Sequence, residues 1–338
     1  PAYSFANEAA FPPISRAATF GFRCALYPEP PDPVLLEPIE VNRIDFSEMT
    51  AVSDEVFEVY RSLYAYDPAP LEARVEEVDD SSPHWRYEKV SFAAAYGDER
   101  ILGHLFLPER ASPPYQAVVF FPSSASRLMR SSDQLADLHY VDFVPRSGRA
   151  FFYPIYQGTY ERQREERPEG PAAHRQSWVE MVQDLRRSID YLVSREDIDS
   201  SRLAYMGLSL GAEYGPITTS IETRFQASVL LAGGFDDQHM LSESAEVNPW
   251  NFAPRVRVPT LMINGELDFG LPIETGQRPM FEMLGMPEQD KRHVVLAGGH
   301  LPNDQNAIVR ETLAWLDRYL GPVELRGPSP GSTQTSAD

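Results

Sequence analysis

Cysteine is almost absent from this chain: Cys24 stands alone among 338 residues. An intrachain disulfide is therefore excluded, as is a zinc or redox motif built on paired thiolates, and a reducing, cytoplasmic compartment is the expectation. No stretch of about 18 uninterrupted apolar residues occurs, which excludes an ordinary membrane-spanning helix. The N-terminus lacks the basic and apolar regions of a secretory signal. Positive charge is scarce as well. Lys and Arg number 30 against 50 Asp and Glu, for a net charge of -20. Such a surface repels phosphate backbones and anionic lipid, so neither nucleic acid nor membrane is an expected partner.

What the chain does have is apolar material for a full core. It is 42% hydrophobic and 24% charged, the balance of one large domain with extensions. It starts at Pro1 rather than Met, as a fragment or processed product does. Residues 1–45 read as an extension or linker, because the run from Tyr27 to Val34 (YPEPPDPV) cannot enter a helix or a central strand. Residues 46–321 carry the periodic patterns of the domain proper. Residues 322–338 are small, polar and proline-rich, the composition of a disordered tail.

Val56, Val59, Tyr60, Leu63 and Tyr64 recur at helical spacing behind an acidic first turn. They predict a helix over 53–66, with Ser53 as N-cap and that stripe turned inward. Tyr87 to Ala94 and Ile101 to Leu107, parted by a polar turn, predict an antiparallel hairpin. After Pro108 short apolar runs alternate with helical patterns: 117–121, 150–153, 203–206, 228–232, 260–264 and 293–296. Runs of this kind predict strands buried on both faces of a mostly parallel sheet, with helices covering both faces. One crossover helix is legible in the stripe Trp178, Met181, Val182, Leu185, Ile189 and Leu192, and a last helix spans 303–320 with Gly321 as C-cap.

The run 203–206 leads straight into Gly207-Leu208-Ser209-Leu210-Gly211. A G-x-S-x-G segment between strand and helix holds its serine at a strained turn, clear of the sheet, and the glycines permit the close helix–strand approach. The pentapeptide alone arises by accident in about one chain in ten of this length. Its place after an apolar run gives it weight. The run 260–264 ends in Gly265-Glu266-Leu267-Asp268, where Asp268 is the candidate acid and Glu266 the alternative. The run 293–296 is followed by Ala297-Gly298-Gly299-His300, the candidate base. Serine, acid and histidine follow one another in the order that the strand–serine–helix arrangement uses.

The remaining histidines lack that context. His293 lies within an apolar strand, where a core or edge role is expected. His84, His104, His139, His174 and His239 have neither the spacing nor the setting, although His174 and His239 fall in loops within reach of the site. An oxyanion hole would draw one donor from the amide of Leu210 and another from Ser123 or Ser124, since Pro122 has no N–H. Specificity is expected in two loops, 154–177 and 235–255. Tyr156, Tyr160, Trp250 and Phe252 are candidate substrate contacts there, against the alternative of a solvated, charge-laced lid.

Over 88–320 these residues resemble the α/β-hydrolase superfamily. Within it they look most like dienelactone-hydrolase-like and esterase-like modules found at the C-terminal end of bacterial Ser/Thr protein kinases. The segments NGELDF, PIETGQRPMFEMLG and KRHVVLAGGH carry that similarity. The resemblance implies an α/β-hydrolase fold and a serine esterase acting on a small-molecule ester, with no cofactor and no metal. Dienelactone hydrolases proper use a cysteine nucleophile where Ser209 stands, so their lactone chemistry is not implied. Upstream, FGFRCALY (Phe20 to Tyr27), behind Ser15 and Arg16, resembles the closing strand of formylglycine-generating-enzyme-like, sulfatase-modifying domains. It implies covalent linkage to an upstream domain and no activity. Two other functions stay open: amide or peptide cleavage by the same triad, and a catalytically silent interaction or sensor module of a larger signalling protein.

Overall fold

The computed structural model describes residues 44–164, 170–236 and 244–326, together with Pro30, Asp32 and Pro33. The expectations for the proline-rich run, for the Phe20 to Tyr27 segment, for His239 and for 327–338 lie outside the described residues. Nine strands form one sheet in the order β1-β2-β3-β5-β4-β6-β7-β8-β9. They are β1 (Arg74–Asp79), β2 (Trp85–Ala93), β3 (Arg100–Pro108), β4 (Tyr115–Phe121), β5 (Ala150–Ile155), β6 (Ile198–Leu208), β7 (Phe225–Leu231), β8 (Thr260–Gly265) and β9 (Lys291–Leu296). The pairs β1/β2, β2/β3 and β3/β5 are antiparallel, and from β5 through β4 to β9 the pairing is parallel. The expected hairpin is β2/β3. The strand before it, β1, was not anticipated, because RVEEVD is exposed at all six positions and shows no alternation.

Alternate residues of the parallel strands feed two cores. Ala117, Val119 and Phe121 of β4 face one side, while Val118 and Phe120 face the other. The first face is covered by helices α1 (Asp54–Ser62), α2 (Gly170–Val193) and α4 (Gly215–Ile221); α3 (Leu210–Glu213) follows β6, and α5 (Gln305–Leu320) covers the second face. The stripe expected for α2 is buried throughout. In α1 the Ser53 Oγ does accept the Val56 N–H, as an N-cap should. The inward face of α1 differs from expectation. Phe57, Tyr60 and Tyr64 pack on the core, whereas Val59 is 63% exposed, because the larger rings outcompete the valines for the interface.

The last helix starts two residues later than expected, at Gln305, capped by the Asp304 side chain on the Ala307 N–H. Its C-terminus is held by a side chain of β4 and by that of the residue just before β5. Gln116 donates to the carbonyls of Leu320 and Gly321, and buried Arg149 bonds Gln116, Ser147 and Asp317. Residues 322–326, expected to belong to a disordered tail, are instead tied to the body. The Arg326 N–H bonds the Arg110 carbonyl and its guanidinium meets Ser112, so residues 322–326 run back along the body.

Candidate active site

The sheet order reverses between β4 and β6, and ligands of open α/β sheets bind outside the carboxyl ends of strands at such a reversal. Ser209 sits there, immediately after β6. Its backbone has φ 51° and ψ -110°, a conformation that costs a side-chain-bearing residue roughly 1–3 kcal/mol. Two close approaches enforce it. A Cβ on Gly207 would lie 2.4 Å from the Gly211 carbonyl oxygen, and one on Gly211 would lie 2.2 Å from that of Phe121. Tyr205 locks the turn from below by donating to the Gly211 carbonyl at 2.6 Å.

The three candidate side chains come together. His300 Nε2 lies 2.7 Å from Ser209 Oγ, and His300 Nδ1 lies 2.7 Å from Asp268 Oδ2. Asp268 is buried, and its other oxygen accepts the amides of Gly270 and Leu271, both at 3.0 Å. Glu266, the alternative acid, is exposed, and the carboxylate on the imidazole is that of Asp268. The loops after β8 and β9 are zipped together by backbone bonds from Glu266 to Leu296 and from Leu267 to Gly298. Burial alone would lower the basicity of His300. The hydrogen bond and charge of Asp268, with the charges of Glu213 and Asp137 adding to them, outweigh it and raise the imidazole above its ordinary value.

After β4 the chain makes a short 3-10 turn, Ser124–Arg127, capped by Ser123 Oγ on the Ala125 N–H. The two serines left open as donors differ there. The Ser123 amide donates to Asp137 Oδ2 at 2.8 Å, while the amides of Ser124 and Leu210 make no hydrogen bond among the described residues. An oxyanion donor must be uncommitted before substrate arrives, so this geometry favours Ser124 over Ser123.

Three of the four aromatic candidates for substrate contact are corrected by the structure. Tyr156 is fully buried, stacked 4.2 Å from Phe121, with its hydroxyl on the Phe120 carbonyl. Tyr160 bonds the Tyr153 hydroxyl and accepts the Ala136 N–H. Phe252 is wedged edge-on against Phe57 and Tyr64. Each ring gains more from the core than a loop position in the sequence reveals. Trp250 is half-buried and packs on Phe46. Exposed apolar residues stand elsewhere: Leu128 after the 3-10 turn, and Leu267 and Phe269 on either side of Asp268. Large apolar residues flanking a candidate acid were a signal the sequence held.

The other described histidines stand apart from the relay. His104 bonds the Tyr87 hydroxyl, and burial with nearby Lys89 lowers it to about 4. His293 bonds buried Asn264, and burial with Arg278 likewise lowers it to about 4. His84 and His139 contact the rings of neighbouring Trp85 and Tyr140, and His174 lies within α2.

No family model matches the chain. It is 31% identical over 151 residues to cutinase 2 of Thermobifida cellulosilytica, a stretch covering 41% of this chain and 51% of that protein. The same identity relates it to cutinase cut1 of Thermobifida fusca, over 42% of the latter. The chain thus spans about half, or less, of the length of these curated relatives. Among solved structures, the acetyl xylan esterase from Paenibacillus sp. R4 superposes with a TM-score of 0.60 at 19% identity, over 79% of this chain and 96% of that one. Acetyl xylan esterase 1 from Thermoanaerobacterium sp. JW/SL YS485 gives 0.61 at 16%, over 80% and 95%. The sheet order, the covering helices and these superpositions together establish the α/β-hydrolase fold.

Proposed function

We propose that this chain is a serine hydrolase that cleaves carboxylic esters through an acyl-enzyme intermediate. The observation that carries the reading is the unbroken relay from Asp268 through His300 to Ser209, with the serine held at a strained, partly exposed turn. His300 takes the Ser209 proton as Oγ attacks the ester carbonyl, and Asp268 holds the tautomer and balances the imidazolium. The amides of Leu210 and Ser124 receive the oxyanion. His300 then returns the proton to the departing alcohol, and water repeats the sequence on the acyl-enzyme. The esterase and cutinase names of the similar proteins support an ester over an amide substrate. An assembled relay supports a working enzyme over a silent module.

The test is hydrolysis of p-nitrophenyl acetate and butyrate, together with labelling by a fluorophosphonate probe. Wild type should turn over and be labelled at Ser209, and Ser209→Ala should do neither while melting at an unchanged temperature. A wild-type protein that is neither labelled nor active would sink the reading. Kinship with C-terminal modules of bacterial kinases, linkage to an upstream domain and a reducing, cytoplasmic setting complete the proposal. The lone Cys24 supports the last of these, and an immunoblot of the source cells for a longer polypeptide tests the linkage.

A further inference from the structure

Asp137 stands outside the relay, yet two of its interactions converge on it. It lies 14 residues beyond Ser123, in the segment between β4 and β5, and its Oδ2 accepts the Ser123 amide at 2.8 Å. Its backbone adopts φ 63°, ψ -4°, a left-handed conformation that Asp and Asn tolerate better than other side-chain-bearing residues. That conformation is anchored from both sides. The preceding Ala136 amide donates to the Tyr160 hydroxyl at 2.7 Å, which in turn bonds Tyr153 of β5, and the following Tyr140 amide returns to the Asp137 carbonyl.

Ser123 is consequently committed at every polar atom. Its N–H goes to Asp137, its Oγ accepts the Ala125 N–H, and its carbonyl accepts both the N–H and the hydroxyl of Ser126. The next amide, that of Ser124, is the one left uncommitted. Within the reading that Ser209 attacks an ester, we propose that Asp137 is a positioning residue: its carboxylate fixes the turn after β4 so that the Ser124 amide, and not that of Ser123, receives the oxyanion. The same carboxylate adds negative charge to the field at His300, alongside Asp268 and Glu213. One side chain therefore has two separable effects, one through its hydrogen bond and one through its charge.

Two substitutions separate them. Asp137→Gly removes the acceptor and accepts φ 63° without strain, while Asp137→Asn keeps an acceptor oxygen and removes the charge. A third, Ser123→Pro, attacks the same bond from its other end, since Ser123 already has φ -70°. With p-nitrophenyl butyrate, D137G and S123P should lower kcat roughly tenfold to a hundredfold, part of the 10²–10³-fold lost when an oxyanion donor is deleted. KM should stay within about threefold, because the oxyanion forms only after binding. D137N should keep kcat within about threefold of wild type. In both D137N and D137G the acid limb of kcat/KM should move to lower pH, since His300 loses a negative neighbour while Asp268 and Glu213 remain.

Unchanged or raised kcat in D137G would overturn the proposal, a rise meaning that the freed Ser123 amide is itself the better donor. A fall in D137N as deep as that in D137G would overturn it too, because the acceptor would then be irrelevant. Wild-type turnover and fluorophosphonate labelling, run beside the variants, separate this failure from failure of the esterase reading. An inactive wild type condemns the esterase reading, and an active wild type with an indifferent D137G condemns only the role of Asp137.

Discussion

Replacing Gly265 with Ala should disable the site while leaving the fold standing. Gly265 ends β8, three residues before Asp268, and faces the loop that carries His300. A Cβ there would lie 1.7 Å from the Gly299 carbonyl oxygen and 2.9 Å from that of Gly298. Contacts below 3.0 Å are not sustained, and the obstacle is backbone, so the two loops must part by about 1.3 Å. The relay has no slack to absorb this: opening the 2.7 Å bond between His300 and Asp268 by that amount takes it to about 4.0 Å. Misplacement by about 1 Å costs on the order of 100-fold in rate, or about 2.7 kcal/mol of barrier. We expect kcat/KM on p-nitrophenyl acetate to fall roughly 100-fold and labelling by the fluorophosphonate to slow in parallel. Gly103→Ala is the matched control. Its Cβ would meet the Phe152 ring at 2.4 Å, three strands from β6, so it should lower the melting temperature and spare kcat/KM. G265A activity within threefold of wild type would refute the reasoning.

In the proposed mechanism His300 must be neutral to act as base; its basicity is raised, so the acid limb of kcat/KM should lie above the ordinary imidazole value of 6.5. Asp268→Asn should move that limb down and lower kcat by at least 100-fold; a limb unmoved in D268N contradicts the pairing. The stability contributed by the His300–Asp268 pair has the opposite pH dependence. It is fully present below the unfolded imidazole value and is lost as pH rises through the raised folded value. His104 and His293 act in the reverse sense, being held neutral down to about 4. Between pH 6.5 and 4 their unfolded forms take up protons that the folded forms refuse, and their two large shifts outweigh the gain at His300. Melting temperature should therefore decline across that window, and a flat profile would contradict the burial argument. Arg162 and Asp184 form a buried ion pair at 2.5 Å between the segment after β5 and α2, with Tyr96 on both partners. Asp184→Ala leaves the buried guanidinium with only the half-exposed Glu99, 3.1 Å away, as counter-charge, and should cost about 3 kcal/mol in denaturant titration, the lower end for breaking a buried pair; a loss below 1 kcal/mol would mean that Glu99 and water suffice for the guanidinium.

The parallel strands were legible because they are buried on both faces and must read as continuous apolar runs, as 117–121 and 260–264 do. β1 was illegible for the converse reason: with every residue exposed, Arg74–Asp79 imposes no pattern. In α1 four apolar residues, Val56, Phe57, Val59 and Tyr60, spread over more than one face, and only packing against Phe252 selects Phe57 over Val59. The three residues of the candidate relay could be picked out by their order and their places after strands. The choice between Ser123 and Ser124 could not, because it turns on Asp137, a contact that no local pattern announces. Tyr156, Tyr160 and Phe252 misled because residues between strands are not thereby at the surface.

One border of the sheet carries a further implication for handling the protein. β1 is the terminal strand among the described residues, with Val75 52% and Val78 44% exposed and Glu76, Glu77 and Asp79 between and beside them. At neutral pH those carboxylates make it costly for a second copy to add its own strand there, as charged side chains do on open sheet margins generally. Without those charges the repulsion would fade and the valines remain. Replacing Glu76, Glu77 and Asp79 by neutral residues should therefore promote self-association at this margin, on the opposite side of the sheet from the β8–β9 loops, and Val78→Lys should suppress it.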